Sequence, residues 1–130
     1  MTTADSVPGA QTALRAVALL KAFTDDRPEL GLADLARLVG LNRTTAYRLL
    51  TALESEGMLS RSIGGAYRLG PEAITLGGRA LRSNDLRSAA HAELERLAVE
   101  TGETATLEVL IGNEVLIMDE VAGNHMLGVS

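Results

Sequence analysis

Apolar residues recur along the first half of the chain at helical spacing. From Thr12 to about Thr24, Ala16, Leu19, Leu20 and Phe23 fall three and four positions apart and predict a first helix. The stretch DDRPELG (25–31) breaks the pattern with Pro28 and Gly31. Leu32, Leu35, Ala36 and Val39 then follow at i, i+3, i+4 and i+7, a short amphipathic helix stopped by Gly40. Only Gly40, Leu41 and Asn42 separate it from a third helix, which Asn42 can cap by accepting a backbone N–H of the first turn. That helix runs to about Glu56 and ends at Gly57, a residue suited to a left-handed C-terminal cap.

The period then changes. MLSRSIGGAYRLG (58–70) holds two short strand-like runs around Gly64-Gly65 and predicts a β-hairpin. Pro71 opens a further helix bearing Ile74, Leu76 and Leu81, weakened by Gly77-Gly78 and so expected to lean on a partner. Asp85 is the expected N-cap of the next helix, marked by Leu86, Ala90, Leu94, Leu97 and Ala98 and closed by Gly102. TATLEVLI and EVLIMDEV flank Gly112-Asn113, a two-residue hairpin signal.

Three helices and a β-hairpin, with a tight turn between the second and third helices, predict a winged helix-turn-helix. The third helix carries its functional face. Ala46, Leu49, Leu50 and Leu53 form one stripe, and Thr44, Tyr47, Arg48 and Thr51 repeat the same spacing two residues earlier. Two residues turn a helix by about 200°, so the stripes face opposite ways. The first belongs in a core. The second, with Arg43 beside it, offers hydroxyls and guanidinium groups suited to a major groove, whose base edges and flanking phosphates accept such donors. Arg43 and Arg48 suit guanine edges or phosphates, and Thr44 and Thr45 suit phosphate or a thymine methyl. Glu54 and Glu56 lie at the far end of the helix. A polar helix face alone is read equally well as an ordinary solvated face. Arg61 and Arg68, flanking the hairpin turn where a wing reaches DNA, favour nucleic acid, although Arg61 by itself reads as a surface charge.

The charge distribution supports this division. The net charge of -5 argues against nucleic acid, but residues 10–70 carry eight Arg/Lys against six Asp/Glu, whereas residues 71–130 carry four against ten. Such asymmetry points to two modules with different partners. With no Trp, one Phe and two Tyr, the core must come from Leu, Val, Ile and Ala. No apolar run approaches the roughly 20 residues of a membrane span, and no leader pattern opens the chain. The absence of cysteine excludes disulfide and thiolate chemistry, and a cytoplasmic location is expected. His91 and His125 are far apart, so no metal site is expected. His91 reads as a helix-surface residue, Glu93, Glu95 and Glu100 as a solvated face, and Met118 and Met126 as packing residues. No set of residues predicts catalysis or a cofactor.

The segments TALRAVALLKAF, LADLARLVGLNRTTAYRLLTALESEGML and YRLG resemble, in order and spacing, the DNA-binding domain of IclR-type (isocitrate lyase regulator) transcription factors. LERLAVETGETATLEVLIGNEVLIMDEV resembles the opening of that family's effector-binding domain, so the likeness covers roughly residues 10–125. It implies homodimers or tetramers that bind palindromic double-stranded DNA operators, with a small organic effector in control. Asn42 departs from the Pro that the family often places there, and caps equally well. The family's effector-binding domain normally continues well past HMLGVS, and later residues build most of its ligand pocket. Effector-contacting residues are therefore unknown, and either a fragment or a truncated product is implied.

The expected fold is α+β. A flexible arm (1–10) precedes a winged helix-turn-helix (11–70), a linker helix (71–84) and the N-terminal part of a truncated α/β effector-binding domain (85–130), a helix and a β-hairpin. The expected DNA-contacting residues are Asn42, Arg43, Thr44, Thr45, Tyr47, Arg48, Arg61 and Arg68. The rival expectation is an interaction module that pairs with a full-length regulator without itself occupying DNA.

Overall fold

The computed structural model describes residues 9–124. Most of the arm (1–8), together with His125 and Met126, lies outside the described residues. The chain divides into two compact units, residues 1–76 and 77–130.

The first unit contains α1 (Ala10–Lys21), β1 (Glu29–Leu30), α2 (Leu32–Val39), α3 (Arg43–Ser55), β2 (Leu59–Arg61) and β3 (Tyr67–Leu69). Helix α4 (Pro71–Arg82) begins in it and runs past the division. The periodic apolar positions are the ones that close the core. Leu19, Leu35, Ala46 and Leu50 are fully enclosed, with Phe23, Leu30, Ala36, Leu59 and Tyr67 beside them and Leu49 and Leu53 packed on the edge. Burying side chains of this size is the main stabilising contribution available to so small a unit, about 1.5–3 kcal/mol for each large aliphatic or aromatic group.

Chain punctuation falls where the sequence places it, with three differences. Gly40, at φ 74°, ends α2 by donating its N–H toward the carbonyls of Ala36 and Arg37. Asn42 Oδ1 accepts the Thr45 N–H at 2.8 Å and starts α3. The first difference lies at the end of α1, which stops at Lys21 rather than near Thr24. Thr24 instead exchanges backbone hydrogen bonds with Arg27 in a tight turn. The second is β1, which lies within the segment expected only to break the helical pattern. It pairs antiparallel with β3, Glu29 opposite Arg68 and Leu30 opposite Tyr67, so the sheet has the order β1-β3-β2 and β3 is central.

The five residues Ser62–Ala66 close the β2–β3 hairpin. The Ser62 N–H donates to the Ala66 carbonyl at 2.8 Å, and Gly65 supplies the positive φ of 86°. At the base of the hairpin the backbone comes close to itself. A Cβ on Gly70 would lie 2.4 Å from the Gly57 carbonyl oxygen, so only glycine fits there.

The second unit contains the end of α4, then α5 (Asp85–Thr101), β4 (Ala105–Ile111) and β5 (Glu114–Val121). The third difference is the cap of α5. Asn84, not Asp85, occupies it, accepting the Arg87 N–H at 3.1 Å, and Asp85 is the first helical residue. Gly112 provides the positive φ (61°) for a two-residue turn closed by Ile111 opposite Glu114. Leu94 and Ala98 of α5 and Met118 of β5 are the unit's buried apolar residues, with Asp119 buried beside them in sequence. The whole is an α+β fold, a winged helix-turn-helix followed by the helix and hairpin of a second module.

Candidate nucleic-acid interface

Helix α3 separates its two faces as its spacing requires. Ala46 and Leu50 are fully buried and Leu49 and Leu53 half-buried. On the opposite side Thr44, Tyr47, Arg48 and Thr51 are exposed, with Arg43 at the N-terminal end. Among the described residues no ion pair engages Arg43 or Arg48. Both residues are exposed. Thr45 is half-buried beside the cap, and the Asn42 side chain is occupied by the capping bond, although the residue itself is exposed.

The two arginines of the wing are placed differently. Arg68 on β3 lies 3.6 Å from Glu29 of β1, both side chains about half exposed. Arg61, at the end of β2, stays partly exposed but lies against Tyr67. Its guanidinium carbon lies 4.4 Å from the centre of the Tyr67 ring, and Nη2 donates to the Tyr67 hydroxyl at 2.6 Å. Nε is 3.6 Å from Glu54 Oε1 in the last turn of α3. Burial pushes the Tyr67 hydroxyl above its usual range, and the adjacent Arg61 charge opposes that shift. Sequence reasoning missed Tyr67, and it set Glu54 apart as a far-end carboxylate. The available signal was register: a five-residue loop sets Arg61 directly across from Tyr67.

A second polar cluster belongs to the other unit. His91, read from sequence as a surface residue, is half-buried and ties α5 to β5. Its Nδ1 donates to Asp119 Oδ2 at 2.6 Å, and Nε2 faces Glu95 Oε1 at 2.8 Å. Asp119 is buried and also accepts from the Glu120 N–H at 2.9 Å, with Arg87 Nη2 3.5 Å away. Arg87 Nε donates to the Met118 carbonyl at 3.2 Å. The hydrogen bond to Asp119, and then its charge, raise the His91 pKa above its usual value, and the same bond lowers that of Asp119. The partners are 28 residues apart, so neither helical nor strand periodicity reveals them. Glu93 and Glu100 are exposed as expected, both paired with Arg96. Among the described residues no cluster of His, Cys, Asp and Glu is placed to hold a metal ion, and no helix is long and apolar enough to cross a membrane.

A capped helix with a cationic, hydroxyl-rich outer face, a tight turn before it and a hairpin wing after it define a winged helix-turn-helix module. Residues 12–62 match the IclR helix-turn-helix domain. Over 132 residues the chain is 31% identical to the transcriptional repressor IclR of Escherichia coli (strain K12), a match spanning 98% of this chain and 48% of that protein. Its fold is similar to the crystal structure of an IclR family transcriptional regulator from Brucella abortus, with TM-score 0.73 at 24% identity, covering 88% of this chain and 44% of that one. It is also similar to an IclR homolog from Microbacterium hydrocarbonoxydans crystallised with 4-hydroxybenzoate, with TM-score 0.65 at 32% identity over 86% of this chain and 47% of that one. Residues 12–62 are thus an IclR helix-turn-helix domain, and over most of its length the chain is similar to IclR family transcriptional regulators. It spans about half the length of the curated relatives it matches.

Proposed function

We propose that the chain acts as a sequence-specific DNA-binding regulator that recognises a palindromic operator as a dimer under control of a small organic effector. The observation that carries this reading is the outer face of α3, where Thr44, Tyr47, Arg48 and Thr51 stand exposed opposite the buried Ala46 and Leu50. In this reading α3 enters the major groove. Arg43, Thr44, Tyr47 and Arg48 meet base edges and phosphates, Asn42 and Thr45 present the helix start to the backbone, and the wing bearing Arg61 and Arg68 lies along the flanking strand.

The module boundaries follow the same reading: residues 11–70 bind DNA, 71–84 link, and 85–130 begin the effector-binding domain. Pairing is supported by α4, which has no buried residue although it carries Ile74, Leu76 and Leu81. Exposed apolar side chains such as Ile74 and Leu76 gain stability by meeting a second copy, and two-fold symmetry then sets half-sites about one helical turn, or a multiple, apart. Control by a small organic molecule is supported by the likeness to the homolog crystallised with 4-hydroxybenzoate. The relatives are regulators rather than enzymes, consistent with a non-catalytic, cytoplasmic role.

The test is selection of duplexes from a randomised pool by the full chain. Enrichment of an inverted repeat supports the proposal. Retention of no duplex at low salt would favour the interaction module, whose supporting observation is the same pair of exposed apolar side chains on α4, Ile74 and Leu76.

A further inference from the structure

We propose that Arg61 is a positioning residue, fixing the wing against α3 through Tyr67 and Glu54, and that it is not one of the cations that neutralise DNA phosphate. This deepens the DNA-binding reading and rests on it for its effect on affinity.

Three elements meet at one guanidinium. Arg61 and Tyr67 are directly opposed across β2 and β3, so their side chains leave the same face of the sheet. The guanidinium lies over the Tyr67 ring, 4.4 Å from its centre, while Nη2 donates to the hydroxyl at 2.6 Å. Tyr67 is 1% exposed and belongs to the core cluster that holds Ala46 and Leu50 of α3. The wing is thus anchored to the side chain that the core itself fixes. Glu54 adds a direct link to the last turn of α3, its carboxylate 3.6 Å from Nε.

A planar guanidinium can stack on a ring and present a directed N–H to the hydroxyl at the same time. A lysine ammonium, a compact point charge, cannot satisfy both. The electrostatics agree. Glu54 offsets the charge of Arg61, whereas no ion pair among the described residues offsets Arg43 or Arg48. A move by Arg61 to a phosphate would give up a charge-assisted hydrogen bond to a nearly enclosed hydroxyl, and buried polar groups without partners are costly. Nearer the tip the backbone hydrogen bonds of the loop Ser62–Ala66 among the described residues are those of its own turn, with Ile63 fully exposed, so the anchor at its root sets the angle at which the wing approaches DNA.

The experiment measures affinity of the full chain for a selected duplex across a salt series, for the parent, Arg61→Ala, Arg61→Lys, Tyr67→Phe and the double variant Arg61→Ala/Tyr67→Phe. Backbone relaxation of the Gly64 and Gly65 amides is measured on the same proteins without DNA. The proposal expects Arg61→Ala and Arg61→Lys to weaken binding alike, by about tenfold, as loss of one charge-assisted hydrogen bond implies. The slope of log affinity against log salt should stay at the parent value, and Tyr67→Phe should add little in the Arg61→Ala background. A phosphate contact gives the opposite pattern: lysine rescues binding, and Arg61→Ala lowers the salt slope by about 1. That result would overturn the proposal. If Arg61→Ala does not fold, Arg61→Lys and Tyr67→Phe carry the comparison. If the parent binds no duplex, the DNA-binding reading falls, and the anchor is judged from relaxation alone. Increased mobility of Gly64 and Gly65 in Arg61→Lys supports it, and unchanged mobility refutes it.

Discussion

Leu50 and Tyr47 lie one turn apart on α3, and replacing each with alanine separates the work of the two faces. Leu50 is 0% exposed, in a cluster whose neighbours Leu35, Ala46 and Tyr67 are equally closed to solvent. Removing its side chain loses the transfer free energy of the deleted carbons and leaves a cavity that a core of this kind closes only in part. Leucine-to-alanine changes at such sites cost about 2–5 kcal/mol, and full enclosure sets the expectation here near 3 kcal/mol. For a unit of this size that lowers the unfolding midpoint by roughly 15 °C. Tyr47 is 48% exposed, so its truncation should cost about 1 kcal/mol or less in stability, while DNA affinity falls by about 1–3 kcal/mol if the ring or hydroxyl meets a base or sugar. The assay is tyrosine near-ultraviolet circular dichroism during thermal unfolding, paired with DNA binding well below the midpoint. The chain has no Trp, and both tyrosines, Tyr47 and Tyr67, belong to the unit 1–76, so this signal follows that unit alone. In Tyr47→Ala the buried Tyr67 still reports. Equal loss of stability in the two variants would refute the assignment of faces.

Other consequences concern backbone, cap and protonation. Gly70→Ala should destabilise the first unit by about 2 kcal/mol or more, because its Cβ would meet the Gly57 carbonyl oxygen at 2.4 Å; a urea midpoint equal to the parent's would show that the base of the hairpin can shift freely. Asn42→Ala should cost about 1 kcal/mol in the same measurement, by freeing the Thr45 N–H. In the second unit both ring nitrogens of His91 face carboxylates, so the folded state favours the imidazolium and raises its pKa above 6.5. The stabilisation it provides is fully present below about 6.5, the unfolded value, and is lost as pH rises through the folded pKa. An NMR titration of the His91 ring should give a midpoint above 6.5, and His91→Gln should flatten the pH dependence of amide-exchange protection in α5. A midpoint at or below 6.5 would contradict the geometry.

What the sequence made legible was local and periodic. The stripe Ala46, Leu49, Leu50 and Leu53 could be identified because one helix contains the whole pattern, and Gly40, Asn42 and Gly57 because caps act on their own neighbours. Strand β1 was missed because two residues carry no period. Glu29 and Leu30 become a strand only by pairing with Arg68 and Tyr67, far along the chain. The cap of α5 was misplaced by one residue because Asn84 and Asp85 are both capable caps, and the fold sets which one precedes the first turn. His91 and Arg61 were underread for a common reason. Each owes its role to a partner brought across a packing contact or a hairpin, Asp119 for one and Tyr67 for the other. Residue types on the outer face of α3 were readable; which of the candidate interface's charges are already engaged was not.

Contact between the exposed face of α3 and DNA is decided by a salt titration of duplex binding by the parent and Arg48→Ala. Parent affinity should fall steeply with salt, as release of counterions from phosphate requires. Arg48→Ala should either lower that slope by about 1 or relax preference at one operator position at a cost of about 1–3 kcal/mol, according to whether Arg48 holds phosphate or reads a base. Parent affinity independent of salt, or an Arg48→Ala variant matching the parent in affinity, slope and preference, would contradict that contact.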